Sequence, residues 1–124
     1  MNARKYFAEL LGTFLFMMIG YASVAAIGNA TPATANLLVV PFSFGLGLLA
    51  AIYAFGHVSG GHFNPAVTVA MILDKRTTAI DGVGYIIAQV IGAIAAAAVV
   101  MITVSQTAVA DLSLIHISEP TRPY

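Results

Sequence analysis

The sequence predicts an all-α membrane protein with three transmembrane helices and one re-entrant half-helix. Three observations carry that expectation. Of 124 residues, 60% are hydrophobic and 8% charged, against about 45–50% apolar and about 25% charged in a soluble domain. No Asp, Glu, Lys or Arg occurs in the 64 residues from Leu10 to Leu73, nor in the 29 from Gly82 to Ala110. A soluble globule needs a charged, patch-free surface, and such stretches cannot supply one. Finally, one apolar run is too short to cross a bilayer and follows a Gly-rich approach ending in Asn-Pro.

The first span is expected at 6–27, about 33 Å at a rise of about 1.5 Å per residue. Arg4-Lys5 before it and Ala33-Thr34-Ala35 after it give it the outline of a secretory signal. Its 22 residues exceed the roughly 7–15 of a signal core and Glu9 lies inside it, so it is expected to be retained. The cluster Gly28-Asn29-Ala30-Thr31-Pro32 breaks the chain. The second span is expected at 37–55, with Asn36 as its N-cap and Pro41 near its start, where a membrane helix tolerates proline. Residues 56–61, Gly-His-Val-Ser-Gly-Gly, have the composition of an irregular loop.

Asn64 at a cap position and Pro65 at the first helical position then start a helix expected over 64–73. It is about 15 Å long, half the roughly 30 Å hydrocarbon core, and ends at Asp74-Lys75-Arg76 with two cations at its negative pole. Such a segment enters and leaves on one side, and protein or a wet cavity must surround its backbone. The third span is expected at 83–104. After Ala110 neither helical periodicity nor span length continues, so 111–124 is expected to be a non-native or disordered tail. The basic pairs Arg4-Lys5 and Lys75-Arg76 fall on one face of this topology, which the positive-inside rule makes cytoplasmic, with the N-terminus. Gly84, Ala88, Gly92 and Ala96 on the third span, and Ala8, Gly12 and Gly20 on the first, form stripes along which helices can approach closely.

Five basic and five acidic residues leave no basic patch for nucleic acid. The absence of cysteine excludes disulfides and thiolate metal sites. What remains for chemistry is Ser59-Gly60-Gly61-His62-Phe63-Asn64-Pro65-Ala66-Val67-Thr68. A helix N-terminus carries about half a positive elementary charge. Near the bilayer midplane it repels protons and metal cations, while the Asn64 amide can donate hydrogen bonds to a passing water.

These residues resemble the aquaporin (major intrinsic protein) family, specifically its N-terminal half. Asn64-Pro65-Ala66 matches the Asn-Pro-Ala box, Ala8-Glu9-Leu10-Leu11-Gly12-Thr13 looks like the first-helix pattern, and Gly84-Tyr85 with Ala88-Gln89-Val90-Ile91-Gly92 looks like the third helix. The resemblance covers roughly residues 3–110 and is nearest to bacterial water-selective members. It implies a passive water channel without cofactor or covalent chemistry, with Asn64, Pro65 and Ala66 at the constriction. Phe44 would be the second-helix residue of the selectivity filter, where glycerol facilitators typically have Trp. Gly60, Gly61 and His62 would line the vestibule, and a homotetramer in the cell membrane is implied for the full-length protein. Glu9 would accept backbone N–H groups of the re-entrant loop, with Gln89 doing similar work. The residues alone leave open a plain interfacial pair between Glu9 and Lys5 one turn away, and an ordinary loop histidine at 62.

The family pore is built from two inverted repeats, and this chain contains one. Residues 112–124 match nothing in the family and look like vector read-through, so a truncated reading frame that does not conduct alone is expected. The alternatives are a facilitator for glycerol or small neutral solutes, and a small membrane subunit that does not conduct. An enzyme is not expected. Ser59 with His57 and His62 suggests a membrane serine protease, but the order Gly56-His57-Val58-Ser59-Gly60 orients no base, and the two histidines lack a third metal ligand.

Overall fold

The computed structural model describes residues 2–27 and 33–118, and the side chains of 2–27 and 37–106. Four helices follow in order: α1 (Ala3–Ile27), α2 (Ala33–Ser59), α3 (Pro65–Leu73) and α4 (Ala79–Ser118). Three stretches are long and apolar enough to cross a membrane: Ala3–Ile27, Leu37–Ser59 and Ala79–Gln106. The shorter α3 makes the fourth element, so the chain is an all-α, multi-pass membrane protein.

Helix α1 lies between the others. It packs on α2 and on α4, α3 packs on α4, and α2 meets α4 at its C-terminal end, where Tyr85 OH donates to the Ser59 carbonyl. Residue pairing fixes the directions. Tyr6 meets Gly84, Glu9 bonds to Gln89 and Leu10 lies against Gly92, so α1 and α4 run parallel. Phe44 covers Gly20 whereas Ser59 bonds to Glu9, so α2 runs antiparallel to α1. Phe63 rests on Gly12, yet Asp81 just after α3 bonds to Tyr6 near the start of α1. The chain therefore returns to the side where α1 begins. Gly12 lies about 14 Å into a helix about 37 Å long, which places the start of α3 well inside the span.

The small-residue stripes mark these contacts. Ala8, Gly12 and Gly20 are buried on α1, and Ala88, Gly92 and Ala96 on α4. At Gly92 a Cβ would run into the Leu10 carbonyl oxygen, so the two backbones touch there.

Several helix ends differ from the sequence expectation, α1 among them, which starts at Ala3 and not at residue 6. Residues 56–59, read as loop, continue α2, because Gly60 N–H still donates to the Gly56 carbonyl at 2.8 Å. The turn comes at Gly60 and Gly61, whose φ values of +98° and +69° suit glycine. Helix α4 starts at Ala79, four residues early: Asp81 N–H donates to Thr78 Oγ1 at 3.1 Å, and Thr78 Oγ1 donates to the Asp81 carboxylate. Thr78 thus acts as the N-cap of α4, satisfying one of the free N–H groups of its first turn. At its other end α4 runs on to Ser118, so residues 111–118 are helical where a structureless tail was expected. No Gly or Pro occurs between Thr103 and Glu119, and Pro120 is the next breaker. Asn36 is not an N-cap but lies inside α2, which begins at Ala33. The breaker cluster 28–32 and residues 119–124 lie outside the described residues.

Candidate functional site

The site is built around one carboxylate. Glu9, on the face of α1 toward α3 and α4, is fully buried. Its Oε1 accepts from Ser59 Oγ at 2.6 Å and from His62 N–H at 2.9 Å. Its Oε2 accepts from Phe63 N–H at 2.7 Å and Gln89 Nε2 at 2.8 Å. One side chain thus ties the end of α2, the loop 60–63 and α4 together. Hydrogen bonds to a charged group contribute about 1.5–3 kcal/mol each, and Glu9 has no exposed surface at which water could replace them. No ion pair to Lys5 forms; the acceptors of Glu9 are spent on the loop.

The loop needs that anchoring. Phe63 has φ +46°, a left-handed conformation that costs a non-glycine residue about 1–2 kcal/mol. Its N–H is held by Glu9 and its buried ring lies against Gly12, where a Cβ would overlap it. Helix α3 then starts at once. Asn64 has extended backbone, its Oδ1 accepts from Ala66 N–H at 2.8 Å, and Pro65 occupies the first helical position. The amide nitrogen of Asn64 makes no hydrogen bond among the described residues, and Asn64, Pro65 and Ala66 are all exposed. The arrangement therefore presents free amide donors and the positive pole of a helix to whatever lies beside them.

Behind Asn64 further polar side chains bond to one another. Thr68 is fully buried; its Oγ1 accepts from Gln89 Nε2 at 2.9 Å, donates to the Asn64 carbonyl at 3.2 Å and lies 3.1 Å from His62 Nδ1. Tyr85 OH donates to the Ser59 carbonyl at 2.7 Å, and its ring meets His62 edge-on at 5.0 Å. A chain of hydrogen bonds runs from Tyr85 through Ser59, Glu9 and Gln89 to Thr68 and Asn64.

The structure brings Glu9, Gln89, His62 and Asn64 into this one cluster, with Pro65 and Ala66 next to it and Gly60 and Gly61 forming its turn. Phe44 is elsewhere. It packs edge-on against Phe16 at 5.7 Å and Tyr21 at 6.4 Å, over Gly20. That is eight residues beyond Gly12, so Phe44 sits about 12 Å further along α1 than Phe63. Ser59, considered in the sequence as a nucleophile, commits its hydroxyl proton to Glu9, and no histidine meets it. His57 is exposed on α2. The roles of Ser59, Thr68 and Tyr85 in the cluster escaped the sequence reading. Their only local signal is spacing: Thr68 follows Asn64 by one turn, and Tyr85 precedes Gln89 by one turn on the same helix face.

Comparison with known proteins places these features in a family setting. The Major intrinsic protein family model matches residues 1–121, past the residue 110 at which the motif resemblance ends. The chain is 50% identical over 102 residues to Glycerol uptake facilitator protein-like 6 of Lactiplantibacillus plantarum, covering 82% of this chain and 44% of the relative. It is 46% identical over 102 residues to Aquaporin Z of Photorhabdus laumondii, with the same shares of 82% and 44%. To Aquaporin Z of Rhodopseudomonas palustris it is 41% identical over 113 residues, 91% of this chain and 47% of that one. The chain spans a little under half the length of these relatives.

Proposed function

Because the chain belongs to the major intrinsic protein family, we propose that it supplies one repeat of a passive transmembrane water channel. The observation that carries this reading is the start of α3. A helix N-terminus and the unpaired Asn64 amide sit inside the span, held there by four hydrogen bonds to Glu9. Asn64, with Pro65 and Ala66, borders the constriction, donating to each water oxygen while the helix pole repels cations. Gly60, Gly61 and His62 line the approach from the side where α1 begins. Phe44 narrows the path about 12 Å further along α1. Glu9 and Gln89 support the loop and do not touch the solute. A path walled on all sides needs further helices, so the chain conducts as part of a complete assembly, a homotetramer of full-length subunits in the cell membrane with this N-terminus cytoplasmic.

A chimera tests the proposal. Residues 1–110 of this chain replace the corresponding part of the Photorhabdus laumondii Aquaporin Z, and osmotic shrinkage of liposomes is followed by light scattering. We expect permeability well above that of empty liposomes and close to that of the unaltered relative. A chimera inserted in equal amount with only the permeability of lipid would overturn the reading. The 50% identity to a protein named for glycerol uptake supports a second reading, a facilitator for small neutral solutes. An inward glycerol gradient on the same liposomes separates the two: glycerol entry as fast as water movement favours the second.

A further inference from the structure

Two phenylalanine rings lie on glycines of α1, and their surroundings differ. Phe63 rests on Gly12 and is buried, whereas Phe44 rests on Gly20 and is only half-buried. The seat of the Phe44 ring is closely defined. Gly20 is buried, and the three heavy atoms nearest to a Cβ placed there all belong to that ring, which the Cβ would overlap. Phe16, one turn before Gly20, meets the ring edge-on at 5.7 Å, and Tyr21 does so at 6.4 Å. The two helices are already close beside this seat. A Cβ at Gly47, nearly one turn along α2 from Phe44, would lie 3.2 Å from the Phe16 carbonyl oxygen and 3.3 Å from the Ile19 side chain. With Gly20 beneath the ring and Phe16 and Tyr21 beside it, a methyl group at position 20 can only drive the ring away from α1.

We propose that Gly20 is the positioning residue that sets how far Phe44 reaches into the solute path, and so the width left to a small neutral molecule. The inference rests on the reading of Phe44 as the narrowing of that path. A ring seated as deep as a glycine allows leaves the path as wide as phenylalanine permits. Any side chain at position 20 lifts the ring and narrows the path, and pore diameter is one of the quantities on which such selectivity depends. The width at Phe44 is thus fixed from α1, by a residue that itself touches no solute.

The test needs an enclosed path, so it uses the chimera of residues 1–110 with the remainder of the Photorhabdus laumondii Aquaporin Z, in liposomes, with flow scaled to the protein inserted. Gly20→Ala should lower water flow several-fold and raise its activation energy, read from the temperature dependence after subtraction of the flow through lipid. Fewer folded chains would lower the flow but leave that activation energy as it was. Phe44→Leu removes the ring, and in that background Gly20→Ala should change neither quantity, since the two substitutions act through one contact. A Gly20→Ala chain that no longer inserts, or that conducts with the activation energy of its parent, would show a packing role alone and overturn the proposal. So would an effect of Gly20→Ala that persists without the ring. A parent chimera without flow overturns the water-channel reading and this inference with it, whereas a conducting parent that Gly20→Ala leaves unmoved overturns this inference alone.

Discussion

At the scale of single residues, Glu9 bears most of the site, and its chemistry makes its replacement informative. Glu9→Gln keeps the shape but turns one acceptor oxygen into a donor nitrogen. If that nitrogen replaces Oε2, it faces the Phe63 and Gln89 donors; if it replaces Oε1, it faces Ser59 and His62. Either way two donors lose their acceptor, at about 1–3 kcal/mol for each. We expect a lower unfolding midpoint in detergent micelles and faster proteolysis at residues 60–63. A midpoint within error of the parent would contradict the anchoring role. Gly12→Ala attacks the same loop sterically, since its Cβ would overlap the Phe63 ring, and overpacking of this kind costs about 1–3 kcal/mol. Gly45→Ala is its control: a Cβ there meets nothing, and alanine favours a helix over glycine by about 1 kcal/mol. Unfolding titrations should therefore move in opposite directions for the two. Asn64, Glu9 and Gln89 could be singled out in the sequence because a polar group in an apolar run demands a reason. The roles of Ser59, Thr68 and Tyr85 in the cluster could not be read in this way. Their partners are 50, 21 and 26 residues away in the chain, and only the packing of α1 against α2 and α4 brings them together.

At the scale of elements, helix existence and helix ends follow different physics. Apolar runs long enough to cross a bilayer must be helical, because lipid offers no other partner for backbone groups. That requirement made the three long helices and the half-length α3 legible. Ends depend on single hydrogen bonds, which composition records poorly. Ser59 and Gly60 follow the same Gly-rich stretch, yet the helix stops only where φ turns positive. The end of α3 shows the same logic. Lys75 takes φ +59°, its N–H donates to the Ile72 carbonyl, and Arg76 N–H donates to Met71, a Schellman ending with lysine where glycine is usual. The start of α4 rests on Thr78, so Thr78→Ala should cost about 0.5–2 kcal/mol. Amide exchange should then quicken over residues 79–82 while the α4 residues around Gln89 remain protected. Uniform protection along α4 would show that the cap contributes nothing. The parallel crossing of α1 and α4 rests on Gly92. In Gly92→Ala the new methyl meets the backbone oxygen of Leu10, which no side-chain adjustment can relieve. The two helices must separate, which breaks the bond from Gln89 to Glu9, and we expect this variant to unfold at lower denaturant than Gly45→Ala.

At the scale of the whole molecule, the fold leaves one end of a half-length helix facing outward from a framework of three spans. The Asn64 carbonyl and Oδ1 accept hydrogen bonds from Thr68 and Ala66, whereas its amide nitrogen makes none among the described residues, and Pro65 and Ala66 are exposed. An amide left free in this way is what the proposed role of Asn64 beside a water path requires. The fold also accounts for what one repeat can do. It positions donors but cannot enclose a path, in keeping with a chain that spans a little under half the length of its relatives. The central claim, that water reaches the start of α3 inside the membrane, is open to direct measurement because the chain contains no cysteine. Ala66→Cys leaves Asn64 and Pro65 intact and places a single thiol beside them. Ile94→Cys places one on an exposed apolar position of α4. Both are treated in membranes with a charged, water-soluble thiol reagent, which reacts only with thiols that water can ionise. The account predicts rapid modification at position 66 and little at 94 until the protein is unfolded. A thiol at position 66 as inert as that at 94 would contradict it.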